Sequence, residues 1–403
     1  MIRRLEAVRA LPAPLAILAG MTFLASLGIS MMIPLLPLYG LALGASPVQL
    51  GLMTSAFAVT NAVAQFGGGF LNDRFGPRPF IAGGMASYAA ANALIAAAPN
   101  AVALIAFRAI AGLGAGANLV SARLYISHVT PGDRLSFANA IISAAQSAGN
   151  VAGPAIGGLL AAALTLRAPF AAVALTSGLA SVAAFFLPPV SIAGAREGET
   201  ALAEPVVNRK VVILTLSNFL LLTGFGGWIT SYAPFAQGRL GWTTFEVGIL
   251  FTFFAIGDVT LGPWIGRIAD RSGRKRVAVV AGFPVALFGL ALVLELPRLV
   301  LYGTAYLAGA GLTAFFSSWY ALLTIAVPAA LRGRVFGIVS AIGNLGTVAG
   351  ALGAAAIWER ADLRLAVFGA TAAAFAASVT LLLLPDDRSE PARAPTSLAA
   401  TGA

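Results

Sequence analysis

Two stretches decide the fold: Gly69-Phe-Leu-Asn-Asp73-Arg74-Phe-Gly76 and Gly266-Arg-Ile-Ala-Asp270-Arg271-Ser-Gly273. They are copies of one short phrase, and they lie 197 positions apart. Each copy follows a long apolar run and carries charges that are rare elsewhere in the chain. At the same offset Gly51 matches Gly248, and further pairs match without a gap from residue 51 to residue 153. The sequence therefore predicts a chain built from two similar halves.

The composition is that of a membrane protein. Of 403 residues, 59% are hydrophobic and only 10% are charged, whereas soluble domains carry about 25% charged residues. A membrane-spanning helix needs about 20 mostly apolar residues. Twelve such runs are predicted near 15–42, 47–72, 79–98, 101–125, 136–162, 168–190, 210–236, 243–266, 277–296, 299–326, 335–357 and 364–384. The expected fold is therefore an all-α membrane protein with twelve transmembrane helices.

The repeat also predicts how these helices are grouped. One long polar stretch, 191–209, separates a first half at 1–190 from a second half at 210–403, and we interpret it as a cytoplasmic linker. Each half holds an even number of spans, so the two repeats run parallel, related by an axis along the membrane normal. We expect two pseudosymmetric six-helix bundles.

The distribution of positive charge predicts the orientation in the membrane. With the N-terminus inside, 19 of the 25 Lys and Arg residues fall on inner segments, 5 on outer loops, and Arg108 within a span. Cytoplasmic loops of membrane proteins are enriched in Lys and Arg. We therefore expect a multi-pass protein of a bacterial-type inner membrane, with both termini cytoplasmic. The same rule explains the net charge of +10 without a nucleic-acid partner.

Several function classes are disfavoured by what the sequence lacks. It has no cysteine and one histidine, so no metal site or other cofactor is expected. It has no Gly-x4-Gly-Lys-(Ser/Thr) phosphate-binding loop, which argues against a transporter that is powered by ATP hydrolysis. A membrane-embedded enzyme would need clustered His, Asp or Glu within the spans, where we find only Asp258 and Arg108. We expect a protein that is not an enzyme, and a non-transporting receptor or a channel is a remote alternative.

The repeated phrase resembles the loop signature of the major facilitator superfamily, Gly-x3-Asp-(Arg/Lys)-x-Gly-(Arg/Lys)-(Arg/Lys), and the similarity covers the whole chain. The matching residues in the two copies are Gly69, Asp73, Arg74, Gly76, Arg78, Gly266, Asp270, Arg271 and Gly273. The resemblance implies that Asp73 latches the inner gate against the helix that starts near Arg334 in the other half. A carboxylate is favoured at a helix N-terminus by the helix dipole.

A second motif narrows the resemblance to the twelve-helix drug/proton antiporter branch. It is Gly149-Asn-Val-Ala-Gly153-Pro154-Ala-Ile-Gly157-Gly158, which is similar to the family's fifth-helix antiporter motif. The first-helix pattern from Leu27 to Pro37 is also similar to that branch. The glycine spacing places one smooth stripe along a helix. The resemblance implies that this stripe seals a helix contact and favours exchange over leak.

The resemblance also implies a function, a set of partners and a binding cavity. We expect a monomeric, proton-coupled antiporter that exports a small amphipathic or apolar compound by alternating access. The alternative is transport of a defined metabolite such as a sugar. Met and aromatic side chains suit varied apolar ligands. Together with three amide side chains, such residues make up the candidate binding site: Met31, Asn118, Gln146, Asn150, Trp228, Tyr232, Phe316 and Trp319.

The candidates for proton coupling are few. Asp258 is the one acidic residue deep within a predicted span, and its counterpart in the first half is Asn61. A desolvated carboxyl group can take up and release a proton. Arg108 is expected to face the protein interior, because a charge in lipid is costly. Glu246 is a further candidate, close to the outer surface.

Overall fold

The computed structural model describes residues 13–130, 135–190, 208–328 and 331–385, and within these ranges all regular secondary structure is helical. Residues 191–207, most of the predicted linker, lie outside these ranges. The helices are α1 (Ala13–Met32), α2 (Leu36–Ala42), α3 (Pro47–Phe75), α4 (Pro77–Ala96), α5 (Ala101–Val129), α6 (Leu135–Ala163), α7 (Ala168–Ala184), α8 (Arg209–Leu240), α9 (Thr244–Ser272), α10 (Arg274–Val280), α11 (Gly282–Val293), α12 (Arg298–Ala326), α13 (Arg332–Arg360) and α14 (Leu363–Thr380).

These helices make the twelve predicted membrane spans. Within the described ranges, nine segments are long and apolar enough to cross a membrane, and the 20-residue segment Arg274–Val293 joins α10 to α11. The remaining three spans are α3, α6 and α7. The first two are 29 residues long but carry more polar side chains, and α7 is a shorter apolar helix of 17 residues. The prediction of an all-α membrane protein with twelve transmembrane helices is confirmed.

Proline accounts for two differences from the predicted spans. The first span was expected to run unbroken over 15–42, but α1 ends at Met32 and α2 starts at Leu36. Pro34 lies in this break and lacks the N–H group that a continuous helix requires. The sixth span was expected to reach residue 190, but α7 ends at Ala184, shortly before Pro188 and Pro189.

The start of the second membrane span in each half is built in the same way. Ser46 caps α3 and Thr243 caps α9, and each side chain accepts a hydrogen bond from the backbone of the third helical residue. That residue is Gln49 in the first half and Glu246 in the second, and its side chain bonds back to the cap. This capping box satisfies two backbone N–H groups that the helix start leaves without partners. The repeat therefore extends to the local hydrogen bonding.

Both copies of the repeated phrase end a helix at a glycine. Gly76 follows α3 with φ 77°, and Gly273 follows α9 with φ 99°. Side chains with a Cβ rarely adopt this backbone conformation, so glycine is required at both turns. Each glycine donates its N–H to a carbonyl in the last turn of the preceding helix. The matched turns reverse the chain at the same face of the two bundles.

Helix packing has the same pattern in the two halves. In the first half, α1 packs on α6 and α7, α3 packs on α5, and α4 packs on α5 and α7. In the second half, α8 packs on α13 and α14, α9 packs on α12, and α11 packs on α12 and α14. Each of these contacts in one half has its counterpart in the other. This is the arrangement of two pseudosymmetric six-helix bundles.

Two reciprocal contacts, here called the seam, join the bundles: α6 against α9, and α3 against α13. We call the face that holds Gly76 and Asn208 the terminal face, and the face that holds Ser46 and Thr243 the distal face. One apolar cluster near the distal face includes residues of both bundles, among them Leu35 and Tyr232. The two clusters nearest the terminal face each draw on one bundle. Packing between the bundles is therefore concentrated at the distal face.

Glycines allow the backbones to touch at the seam. A Cβ added to Gly51 would lie 2.8 Å from the carbonyl oxygen of Ala351. A Cβ added to Gly248 would collide with the carbonyl oxygen of Pro154. Gly51 and Gly248 are counterparts in the repeat, and so are Pro154 and Ala351. The seam thus uses one close contact twice.

We predict that Gly248→Ala weakens the distal side of the seam. The added methyl group has no room beside Pro154, so α6 and α9 must separate. Transport in proteoliposomes should fall at least several-fold, and labelling of a single cysteine introduced at Val151 should rise. The control is Gly303→Ala in α12, where an added Cβ meets nothing within 4 Å. Equal behaviour of the two variants would show that the close contact is not needed.

Candidate functional site

The charged loop motif lies at the terminal face. Arg74 and Arg271 are exposed, and the Arg74 guanidinium lies 5.2 Å from the centroid of the Phe75 ring. Arg78 donates a hydrogen bond to the carbonyl oxygen of Phe185, which ties the start of α4 to the end of α7. The side chains of Asp73, Asp270 and Arg334, and the surroundings of Gly69 and Gly266, lie outside the described part of the structure. The latch between the halves therefore stays a prediction.

The predicted glycine stripe on α6 lies against α1 within the first bundle. A Cβ added to Gly149 would lie 2.7 Å from the backbone nitrogen of Leu27, and one added to Gly153 would lie 2.7 Å from the Leu27 carbonyl oxygen. Gly157 makes a similar contact with the Met31 backbone. The Ser30 hydroxyl donates a 3.0 Å hydrogen bond to the carbonyl oxygen of Gly149. The stripe therefore holds two helices at backbone contact.

The last residues of the same motif belong to the seam. A Cβ added to Gly158 would lie 2.7 Å from the carbonyl oxygen of Thr244 in the other bundle. The Thr252 hydroxyl donates a 3.1 Å hydrogen bond across the seam to the carbonyl oxygen of Val151. One helix thus presents Gly149, Gly153 and Gly157 to its own bundle, and Pro154 and Gly158 to the other. The motif couples the interior of the first bundle to the interface.

Asp258 is bonded within the second bundle. It lies in α9 and is half-buried, and its Oδ1 accepts a hydrogen bond from the hydroxyl of Thr313 in α12. The counterparts of these two residues in the first bundle are Asn61 and Gly116. Asn61 there donates a 3.4 Å hydrogen bond to the Gly112 carbonyl oxygen. The repeat is therefore broken at both members of the pair, with one ionisable group where the first bundle has none.

Thr313 was not among the residues that the sequence singled out. It is one of many Thr residues in apolar helices, and only its partner makes it notable. Comparing the two halves could have found it, because Thr313 replaces a glycine at the position that faces the Asp258 counterpart. Two halves that differ at both members of a facing pair, as at Asp258 and Thr313, can therefore point to a candidate site residue.

Arg108 lies inside the first bundle, as expected for a charge within a span. It is 6% exposed. Its Nη1 atom lies 3.6 Å from the sulfur of Met32, and its Cζ atom lies 4.2 Å from the centroid of the Phe57 ring. Within the described ranges no carboxylate forms a salt bridge with Arg108, and its Nε has no hydrogen-bond partner. The contacts of the Arg108 guanidinium are thus the face of the Phe57 ring and the sulfur atom of Met32.

Glu246 lies at the distal face, where it has structural partners. Its Oε2 accepts hydrogen bonds from the backbone and the hydroxyl of Thr243, at 2.8 and 2.9 Å. Its other oxygen forms an ion pair with Arg298. Nearby, a hydrogen bond from Arg364, together with the charges of Arg364 and Arg239, lowers the pKa of Glu295. Capping and ion pairing account for Glu246 in this structure, and its part in proton coupling stays a prediction.

Aromatic side chains form a cluster around Trp228 in the second bundle. The Trp228 ring stacks on Tyr232, with centroids 5.0 Å apart, and lies 4.7 Å from Phe251 and 6.0 Å from Phe254. Trp228 and Phe316 line one cavity of about 280 Å³ between α8, α9, α11, α12 and α14. The structure thus brings together three of the predicted binding residues, and two of them reach a cavity.

The other predicted binding residues lie elsewhere. Trp319 is buried, and its Nε1 donates a 2.9 Å hydrogen bond to the carbonyl oxygen of Leu214. Met31 is buried in the first bundle against the glycine stripe. Asn118 packs against α4 at Gly84. On α6, Gln146 is exposed and Asn150 is half-buried. Of this group, Gln146 has the most open position.

Comparisons with known proteins place the chain among membrane transporters. A model of the family described as Major Facilitator Superfamily matches residues 18–244 and 214–400. The quinolone resistance protein NorA of Staphylococcus aureus (strain MSSA476) is 28% identical over 241 residues, or 57% of this chain and 60% of NorA. The matched region thus spans about 60% of the length of NorA. The class C tetracycline resistance protein of Escherichia coli is 26% identical over 363 residues, or 85% of this chain and 89% of that protein.

A solved structure has the same fold. The crystal structure of a point mutant of the nucleoside transporter NupG superposes with a TM-score of 0.79, covering 91% of this chain and 98% of that chain. The sequence identity is 14%, so this likeness concerns the fold alone.

We predict that Arg108→Lys destabilises the protein. A lysine ammonium lacks the flat guanidinium that covers the Phe57 ring, and a desolvated cation–π contact contributes about 2 kcal/mol or more. The midpoint of thermal unfolding in detergent should fall by several degrees. The control is Arg123→Lys, at an exposed position of the same helix, which should leave the midpoint unchanged. A similar midpoint for both variants would contradict the role given to Phe57.

Proposed function

The chain belongs to the Major Facilitator Superfamily of membrane transporters, and from that premise we propose that it is a proton-coupled antiporter that exports small amphipathic or apolar compounds. The observation that carries this proposal is Asp258. It is a half-buried carboxyl group within a span, bonded to Thr313, at a place where the first bundle carries a neutral amide. Because burial penalises the charged form, such a carboxyl group can exchange protons as its surroundings change.

The seam supports exchange by alternating access. In two-half transporters, one bundle rocks against the other around a site between them. Here the bundles meet through backbone contacts at Gly51 and Gly248 near the distal face. Rocking must part these contacts on one side while new ones form on the other. A tight seam limits leak between the two states.

The nature of the substrate is inferred from the relatives and the aromatic cluster. Both curated relatives are named for resistance to antibacterial compounds, quinolones in one case and tetracycline in the other. Four aromatic side chains gather around Trp228, and rings of this kind bind flat apolar compounds. We infer an exported compound with an aromatic or apolar body.

The proposed location is a bacterial inner membrane, as for the bacterial relatives. With both termini cytoplasmic, the terminal face is the cytoplasmic one. The concentration of packing at the distal face then corresponds to an inward-facing state. In that state a compound enters from the cytoplasm or the inner leaflet. We propose that the stretch 191–209 is the cytoplasmic linker between the bundles.

We predict that Asp258→Asn uncouples transport from protons. The amide keeps the shape and the hydrogen bond to Thr313, but it cannot titrate. In proteoliposomes that contain the wild-type chain, tetracycline or norfloxacin should induce proton movement. In the variant this proton movement should be at least tenfold smaller. The control is Thr260→Val on the same helix, which removes a hydroxyl that contacts Tyr306 and no titratable group. If Asp258→Asn stays fully proton-coupled, Asp258 is not the carrier.

Drug export and metabolite transport predict different cell phenotypes. We expect that expression in a bacterial strain without its own efflux pumps raises the inhibitory concentration of a quinolone or tetracycline at least fourfold. Counterflow of a labelled sugar or nucleoside in the same proteoliposomes tests the metabolite alternative. Saturable counterflow of the metabolite, with no change in drug susceptibility, would replace the proposal by that alternative.

A further inference from the structure

The cavity beside Trp228 lies within one bundle rather than between the two. Its walls come from five helices of the second half, and among the residues that line it are Trp228, Phe254, Phe288 and Phe316. Phe225 also lines the cavity, and it is 39% exposed, so one edge of the cavity reaches the surface of the bundle. The site is therefore separate from the seam.

The first bundle shows what occupies the equivalent place there. Tyr88, Asn92 and Arg108 are buried, with exposures of 1%, 0% and 6%. Arg108 contacts Met32 and Phe57. At the 197-residue offset the counterpart of Phe57 is the cavity residue Phe254. In the first span the packing shifts the match by one residue, because Leu27 lies against Gly153 as Thr223 lies against the Gly153 counterpart Gly350. Met32 therefore corresponds to the cavity residue Trp228. Three large polar side chains therefore fill the interior of the first bundle.

In the second bundle those three side chains are replaced by small apolar residues. Tyr88 corresponds to Val285, Asn92 to Gly289 and Arg108 to Ala305. Val285 and Gly289 line the cavity. The loss of the phenol at Val285 and of the amide at Gly289 leaves a space that the extra bulk of Trp228 does not close. The cavity is thus a specific departure from the symmetry of the chain.

The chemistry of the walls selects the ligand. None of the residues that line the cavity is charged, and the hydroxyl of Thr371 already donates to the Val367 carbonyl oxygen at 2.8 Å. Among the lining residues, the indole N–H of Trp228 has no hydrogen-bond partner. A single donor of this kind cannot replace the bonds to water that an ionised or highly hydroxylated ligand would lose. The rings of Phe254 and Phe288 meet Trp228 at interplanar angles of 30° and 73°. Such walls offer both faces and edges to another ring.

The size of the cavity indicates how large the bound group is. A dry apolar cavity of roughly 150 Å³ holds one benzene molecule. The volume here is about 280 Å³, which suits two fused rings. We propose that this cavity binds an uncharged bicyclic aromatic group, the apolar body of the exported compound. Its link to export rests on the function proposed above, whereas binding itself does not.

The test is ligand-induced stabilisation of the purified full-length chain in detergent, with naphthalene as the probe. A ligand that binds only the folded state raises the unfolding midpoint, and we expect a rise of about 2–4 °C for the wild type. Val285→Phe fills the cavity from α11 and should abolish the rise. Leu312→Phe fills it from α12 and serves as the second variant should the first not fold. The matched control is Val280→Phe, at a position that is 61% exposed, which should keep the full rise.

Two further probes separate the possible occupants. Decane represents a lipid acyl chain, and naphthalene-2-sulfonate represents a charged aromatic compound. Stabilisation by naphthalene alone supports the proposal. A rise of equal size with decane, or an equal naphthalene effect in wild type, Val285→Phe and Leu312→Phe, overturns it. If naphthalene binds as expected but the chain exports no aromatic compound, the binding site stands and the proposed function fails.

Discussion

The structure depends on backbones that touch where glycines remove the side chain. In lipid, apolar side chains gain little by leaving one apolar surrounding for another, so helix association relies on close van der Waals packing. The seam meets this need twice, at Gly51 against Ala351 and at Gly248 against Pro154. The stripe from Gly149 to Gly157 meets it again within the first bundle. The seam contacts fix the position of the two bundles relative to one another, and the stripe fixes α1 against α6.

On this common scaffold the two bundles differ in their interiors. The first bundle encloses Arg108 against Phe57, with Tyr88 and Asn92 nearby. The second encloses an aromatic-walled cavity and, deeper along α9, the pair Asp258 and Thr313. Charge and space are thus distributed unequally between halves that pack alike. A protein that must bind a compound and move protons can assign the two tasks to different places.

Much of the fold was predictable because its determinants are local. The apolar runs gave the twelve spans to within a few residues, and the 197-residue offset indicated the paired turns at Gly76 and Gly273. The break at Pro34 was missed because apolar residues continue on both sides of it. The resemblance implied a binding cavity, but not one that lies within the second bundle. The cavity exists because Val285 and Gly289 stand where the first bundle has Tyr88 and Asn92. Small residues in an apolar helix do not reveal in the sequence that there is space beside them. Trp228 and Phe316 were singled out as ring-bearing residues, but their common cavity follows only from the packing of five helices.

The reciprocity of the seam also has an evolutionary meaning. A single ancestral half, paired with a second copy by a two-fold axis, would make the Gly51 contact and the Gly248 contact as one and the same. Such a homodimer cannot vary one copy without the other, since a single gene encodes both. Joining two copies in one chain lifts that restriction while it keeps the interface. The carboxyl group of Asp258 and the guanidinium of Arg108, each present in one half, are differences that a homodimer of identical halves could not show.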